Sequence, residues 1–217
     1  MNSISIENFF PATQLPLPGW VRGILLAMSD ASNSQMQHDA DQRDVAAVRG
    51  GDGEAYRRIV RRHQPTIARR MARFSRDRAT VEELVHDCFV EAYLSLRSYR
   101  GDAPLEHWLT KIATRTGYRH WKTERRDRKR ILDLQSNHSS ARMAAPPAED
   151  TAELAMYLLD QLSPRDRLAI TLLHLEGRSV AEAAELAGWS QTLLKVQAYR
   201  ARKKLRALLE RQGIDHE

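Results

Sequence analysis

Between residues 111 and 130 the chain reads KIATRTGYRHWKTERRDRKR. Nine Lys or Arg stand against Glu124 and Asp127, a net of +7, with Tyr118 and Trp121 set among them. Rings interleaved with cations suit an unpaired nucleic-acid strand, whose bases stack on aromatic faces while Lys and Arg hold phosphate. The plainer alternative is that Tyr118 and Trp121 finish a helical core and the cations form a solvated face. A second run, KVQAYRARKKLR at 195–206, holds six Lys or Arg and no acid. At its head Gln191, Thr192, Lys195 and Gln197 suit base edges or phosphates, Gln being able to pair bidentately with adenine. Arg200, Arg202, Lys203 and Lys204 lie further along and suit phosphate, which positions a protein without specifying sequence. A third pattern is acidic: Glu83, Asp87 and Glu91 recur at i, i+4 and i+8. Like charges at that spacing disfavour an isolated helix, so the stripe is either a solvated face or a dock for a basic partner.

Other chemistry has little to stand on. The eight His are scattered without metal-ligand spacing, and His63 and His174 read as core or surface residues. No phosphate-binding loop, dinucleotide-binding glycine pattern or nucleophile motif is present, and Gly50-Gly51-Asp52-Gly53 reads as a turn and helix cap. No catalytic residue, metal site or cofactor is therefore expected. The single cysteine, Cys88, falls on an apolar stripe and reads as packing; so low a cysteine content suits a reducing compartment.

These groups must be positioned by helices. The chain has 217 residues, a formal net charge of +6 and a sequence pI near 9.7, a balance that points to a nucleic-acid partner. No apolar run reaches the roughly 18 residues of a membrane-spanning helix. Residues 1–43 contain FFPATQLPLPGW and a polar stretch and read as a poorly ordered extension without an export signal; Met28 opens a second candidate start. Residues 44–130 read as one helical domain. Asp52 should cap a helix with apolar positions from Tyr56 through Ile59, Val60, His63, Ile67 and Met71 to Phe74, and Pro65 should kink or interrupt it. Thr80 and Glu83 form a candidate capping box for a helix whose apolar stripe is Val81, Leu84, Val85, Cys88, Ala92 and Leu96. Pro104 suits the first position of a third helix, with Leu105, Trp108, Leu109, Ile112 and Thr116 on its buried face.

Residues 131–150 read as a flexible linker ending in Pro-Pro. Its twenty residues could span at most about 66 Å, more than a duplex turn of about 34–36 Å. Residues 151–211 read as a second helical unit. Ser163-Pro164-Arg165-Asp166 opens a helix that Gly177 closes. Ser179 and Glu182 form another capping box, Gly188 makes a turn, and Ser190 caps a longer basic helix. A short helix, a glycine turn and a longer helix make a helix-turn-helix, with Trp189 expected to plug its core. The fold class expected is all-α: two small helical domains joined by a flexible linker, the C-terminal one a helix-turn-helix.

The stretch VEELVHDCFVEAYLSLRSYRGDAPLEHWLTKIATRTGYRHWKTERR resembles region 2 of bacterial RNA polymerase sigma factors. LLDQLSPRDRLAITLLHLEGRSVAEAAELAGWSQTLLKVQAYRARKKLRALL is similar to region 4 of that family. With both regions, a short linker and no large region between, residues 44–211 resemble the extracytoplasmic-function (ECF) group of the sigma-70 family. The resemblance implies that Glu82, Glu83, Leu84, Val85, Asp87, Phe89 and Glu91 dock on the β′ clamp helices of core RNA polymerase. It implies that Trp108, Lys111, Arg115, Tyr118, Arg119, His120, Trp121 and Lys122 capture and melt the −10 element. Ser190, Gln191, Thr192, Lys195, Gln197, Arg200, Arg202 and Lys203 would read the −35 duplex, while Leu162–Asp166 would meet the β flap. It also implies an anti-sigma factor as partner and a bacterial cytoplasmic location without membrane insertion.

Four departures stand out. Thr114-Arg115 replaces the family's Arg-Asn, Gly117 replaces a helix former, and Leu193-Leu194-Lys195-Val196-Gln197 replaces Thr-Val-Lys-Ser-Arg. Thr80 stands where Asp is frequent, so its phosphorylation would restore a negative charge, although capping is the plainer role. A free-standing helix-turn-helix regulator is the alternative function; it would normally bind as a dimer, and no dimer stripe is evident.

Overall fold

The computed structural model describes residues 19–135 and 151–211, all eight α-helices and two short helical turns of which are consistent with an all-α chain; no strand occurs among the described residues. The helices are α1 (Gly19–Arg49), α2 (Gly53–Met71), α3 (Arg78–Ser95) and α4 (Leu105–Gln135). After them come α5 (Thr151–Gln161), α6 (Pro164–Ile170), α7 (Val180–Ala187) and α8 (Gln191–Arg211). A 3₁₀ turn follows α3 and a π turn, Thr171–Leu175, follows α6.

The N-terminal unit extends further back than residue 44. Helix α1 packs on α2, and Asp41, only 2% exposed, lies inside the fold. The reason is charge: Asp41 meets His63 at 3.0 Å and pairs with Arg62, while Asp44 meets Arg62 at 2.7 Å and Arg58 at 2.8 Å. Burial works against the Asp44 carboxylate, but its bonds to Arg62 and Arg58 overcome that and hold its pKa below the ordinary value. The polar composition that suggested disorder is, in this part, one side of an ion-pair network.

Helix α2 is capped as expected: Asp52 accepts hydrogen bonds from the Glu54 and Ala55 amides at 2.8 and 3.2 Å. Ile59, His63, Ile67 and Met71 are buried at helical spacing. Pro65 does not interrupt α2. It removes one backbone donor, yet the core positions on either side of it hold the helix in register. Helix α3 starts three residues earlier than the Thr80 cap requires. Asp77 is the cap, accepting from the Thr80 amide at 2.8 Å and from the Thr80 hydroxyl at 2.7 Å. An aspartate at the N-cap satisfies the orphan amide with a full charge, so Thr80 becomes a donor within the first turn.

Helix α4 carries the chain through residue 135, so residues 131–135 are helical instead of linker; residues 136–150 lie outside the described residues. In the C-terminal unit the caps are those the sequence specifies. Ser163 accepts from the Asp166 amide. Ser179 and Glu182 close a reciprocal box, with Ser179 N–H donating to Glu182 at 2.9 Å. Gly188 adopts φ +70°, a left-handed conformation natural to glycine. The two units pack together: α4 rests on α6 and α7, and Leu168, Leu172, Leu186 and Leu194 belong to the same buried cluster as Ile67, Phe74, Leu109 and Trp121.

Candidate nucleic-acid interface

Helix α4 presents the basic-aromatic segment. Leu105, Leu109, Ile112 and Ala113 are buried beneath it, which fixes the direction of the remaining side chains. Arg115, Arg119 and Lys122 are exposed, Trp108, Lys111, Tyr118 and His120 are half-buried, and Trp121 is buried. Trp121 donates its indole N–H to the Phe74 carbonyl at 2.7 Å and stacks at 4.5 Å on the Phe74 ring. In this arrangement Trp121 closes a core and does not offer a face to a base. Trp108 packs against Tyr99 at 5.5 Å. Tyr118 meets Trp189 edge-on at 5.9 Å and has the Lys122 ammonium 5.8 Å from its centroid. Trp189 packs against the buried cluster that includes Ala184, Leu186 and Leu194 of the helix-turn-helix, and it also reaches across to Tyr118 of α4.

Gly117 has a direct steric cause. A Cβ at this position would lie 2.3 Å from Phe74 Cγ, so the ring that supports Trp121 leaves room for glycine alone. The departure from a helix former is thus a packing requirement of this particular core.

The acidic stripe of α3 divides. Glu83 and Asp87 are exposed. Glu82 is exposed and pairs with Arg78 at 2.9 Å. Glu91 is half-buried and pairs with Arg119 of α4, tying the acidic face to the basic one. Leu84, Val85 and Phe89 are buried in the core. What α3 offers to the outside is a different apolar set: Val90, Tyr93 and Leu94, the last 76% exposed. They line an open groove of about 580 Å³ together with Val85 and Phe89 of the same helix and Tyr56 and Val60 of α2, rimmed by Glu82 and His86. Tyr56 spans the groove floor, its ring 4.9 Å from Tyr93 and its hydroxyl donating to the Phe89 carbonyl. The signal for Tyr93 and Leu94 was present in the sequence: they are apolar residues of α3 that fall off the buried stripe. Burial of Cys88 raises its pKa to about 12, consistent with a packing role.

In the C-terminal unit α8 buries Leu194, Ala198 and Ala201. Its opposite side exposes Gln191, Thr192, Lys195, Arg200, Arg202 and Lys203, with Ser190 just before it. The Ser190 hydroxyl accepts from the Leu193 amide at 3.1 Å, so it acts as the cap of this helix. Gln197 is only 7% exposed; it lies on the inner side, beside Leu194 and Ala198, away from the exposed Gln191, Thr192 and Lys195. Tyr199, 64% exposed, stands one turn beyond Lys195 on the outer side and was not among the residues picked from sequence. Lys204 is committed within the unit, pairing with the buried Asp166. His174 is exposed and His63 is buried against Asp41. Among the described residues no group of acidic, His or Cys side chains could hold a metal ion, and no helix is long and apolar enough to cross a membrane.

The arrangement therefore offers two basic surfaces, on α4 and α8, and one apolar groove with acidic neighbours on α2 and α3. The family model for Sigma-70 region 2 matches residues 59–127, and that for Sigma-70, region 4 matches residues 152–205. The chain is 26% identical over 176 residues to the ECF RNA polymerase sigma-E factor of Escherichia coli (strain K12), over 76% of this chain and 92% of that protein. It is 26% identical over 187 residues to the RNA polymerase sigma-H factor of Pseudomonas aeruginosa PAO1, over 81% of this chain and 96% of that one. Among solved structures it is similar to the sigma factor RpoE in complex with the anti-sigma factor NepR from Bartonella quintana. The TM-score is 0.49 and the identity 23%, over 71% of this chain and 96% of that one.

Proposed function

The chain belongs to the sigma-70 family, and we propose that it is a dissociable ECF-type specificity subunit that brings core RNA polymerase to particular promoters in the bacterial cytoplasm. It works by binding and strand separation, without covalent chemistry. The observation that carries this reading is the order of parts in one chain: a region 2 match ending in the basic-aromatic helix α4, then a region 4 match ending in α8.

Each part has a physical role. Major-groove readers of this class insert the N-terminal end of the second helix, which puts Gln191, Thr192 and Lys195 at base edges and Arg200, Arg202 and Lys203 at phosphates. Arg115, Arg119 and Lys122 would hold the backbone of the −10 strand, with Tyr118 as a stacking surface for an extruded base. Stacking of this kind contributes about 1–3 kcal/mol per base. The groove of Tyr56, Tyr93 and Leu94, rimmed by Glu82 on the helix that also exposes Glu83 and Asp87, supports clamp docking. An apolar centre with a charged rim is the usual anatomy of a protein interface. An anti-sigma factor is the expected controlling partner. Nothing in the geometry favours the alternative of a free-standing regulator.

Run-off transcription with core polymerase tests the reading. Purified protein should support RNA synthesis from promoters bound in cells and from no template lacking them. Failure with every template offered would overturn it.

A further inference from the structure

The last turns of α4 face a hollow that the promoter-binding roles leave unused. Trp121, Glu124, Arg125, Arg128, Lys129 and Leu132 recur at helical spacing, so one side of the helix lines it. The end of α5 and the start of α6 close the other side with Asp160, Leu162, Pro164 and Arg167, around a volume of about 320 Å³. A second cavity of about 190 Å³ adjoins it and shares Glu124, Asp160 and Arg167 in its wall. Charge in the larger cavity is uneven. Arg125, Arg128, Lys129 and Arg167 stand against Glu124 and Asp160, an excess of two positive charges. Glu124 is matched to Arg128 at 2.8 Å and Asp160 to Arg167 at 2.6 Å. Arg125 donates to a neutral acceptor, the Leu162 carbonyl, at 2.7 Å. Among the described residues Lys129 pairs with no carboxylate, and neither does Arg76 in the wall of the smaller cavity. The Arg167 side chain is 13% exposed, and its guanidinium lies 4.1 Å from the centroid of Trp121. Burial lowers the pKa of Arg167; Asp160 and Glu124 oppose this, while Arg128 and Arg76 add to it. The most enclosed cation of the site thus sits among further cations that the fold leaves without counter-charge.

We propose that this cavity binds a nucleoside diphosphate, with Arg125, Arg128 and Lys129 taking the phosphates and the stacked Arg167 and Trp121, beside Leu132, Leu162 and Pro164, taking the nucleoside. Guanidinium forks match phosphate oxygens two at a time, and the uncompensated charge favours a multiply charged group over a monoanion. A guanidinium plane is also a surface on which a base stacks. Glu124 and Asp160 accept hydrogen bonds only, which suits the hydroxyls of a sugar and not a bare phosphate. An apolar wall with a few converging polar groups, in a volume of roughly 300 Å³ or more, is the usual make-up of a small-molecule site. None of the four cations is among the residues proposed to meet promoter DNA or core polymerase, so the site goes beyond that reading. A ligand held by α4 and α6 together would stabilise the folded chain in proportion to its occupancy.

Isothermal titration calorimetry on the full chain, without polymerase or DNA, tests this with ADP, GDP and inorganic pyrophosphate as probes. ADP or GDP should saturate a single site per chain. Pyrophosphate, lacking the part that meets the apolar wall, should bind about tenfold more weakly or worse. The variant Arg128→Ala/Lys129→Ala removes two charge-assisted contacts at exposed positions that the core does not use, and should weaken nucleotide binding about tenfold or more. Arg126→Ala/Arg130→Ala takes the same charge from the same helix at exposed positions off the cavity wall and should bind like wild type. The melting temperature of wild type should rise with added nucleotide, and that of the cavity variant should not. Failure of both ADP and GDP to saturate, equal affinity for pyrophosphate, or equal loss in the two double variants would overturn the proposal. A single-stranded oligonucleotide that loses affinity in the cavity variant, while neither nucleotide saturates, would assign the cations to DNA and overturn it too. No readout involves polymerase, so a chain that binds nucleotide as described but never supports transcription would fail the functional reading alone.

Discussion

Replacing Gly117 by alanine isolates the packing that holds the basic-aromatic helix in place. In the interior of a helix the change favours folding by about 1 kcal/mol, because alanine has less conformational freedom to lose. Against this, the new Cβ would lie 2.3–2.4 Å from three atoms of the Phe74 ring. The ring cannot simply step aside: it stacks on Trp121 at 4.5 Å, and the carbonyl of Phe74 accepts the Trp121 indole N–H at 2.7 Å. Overpacking of this kind costs about 1–3 kcal/mol, occasionally more. The steric term wins, and the full chain should lose up to about 2 kcal/mol, equivalent to roughly 2–4 °C of melting temperature per kcal/mol for a chain of this size. The double-mutant cycle carries the sharper test. Phe74→Ala alone should cost about 3–5 kcal/mol, but adding Gly117→Ala to it should then stabilise by about 1 kcal/mol, since the clash has gone and only the propensity term remains. Urea unfolding followed by far-ultraviolet circular dichroism measures all four corners. Gly117→Ala at least as stable as wild type while Phe74 is present, or the same destabilisation in both backgrounds, would refute the steric account.

Three further outcomes are expected. Leu94→Arg should reduce binding to core polymerase about tenfold or more, the loss typical of a central interface residue, with unchanged thermal stability because Leu94 contributes little to the core; pull-down and melting curves together check this. Arg200→Ala and Lys203→Ala should each lower the magnitude of the salt slope of promoter binding by about one, as loss of a phosphate contact does, measured by titration of polymerase-bound protein over a range of salt. The Asp44 carboxylate is depressed in the fold by its arginine partners. Its contribution to stability is therefore complete above its ordinary pKa and is lost as pH falls through the lowered value. The stability difference between wild type and Asp44→Asn should be largest near neutrality and vanish in acid.

The elements legible in the sequence were those whose signals are local. Asp52, Ser163, Ser179, Gly188 and Ser190 each specify a boundary through a bond reaching three residues or fewer, or through one backbone angle, and all appear where expected. Thr80 shows the limit of such reasoning, because a neighbouring Asp77 competes for the same amide and wins by charge. What could not be read depended on partners distant in the chain. Asp41 falls in the stretch 1–43 that reads as a poorly ordered extension until Arg62 and His63 stand opposite it. Gln197 looked like a base reader because polarity says nothing of which helical face the core claims; Leu194 and Ala198 beside it decide that. Trp121 presented the same choice in reverse, and its indole N–H found the Phe74 carbonyl, 47 residues earlier.

The charge pattern that makes this chain a DNA binder also explains why it folds as one body. A helix with nine cations in twenty residues repels itself unless counter-charges approach. The fold brings them from two directions: Glu91 from α3 to Arg119, and Glu185 from α7 to Lys111. Ion pairs that remain near solvent contribute little each, and promoter phosphates can make the same bonds to the same cations. Exchange of carboxylate for phosphate is then close to balanced, and the outcome is set by what else changes in the exchange. In the proposed assembly, docking of the apolar groove around Tyr93 and Leu94 would supply a free-energy term that the isolated chain lacks, while release of condensed cations from DNA favours the phosphate side most strongly at low salt.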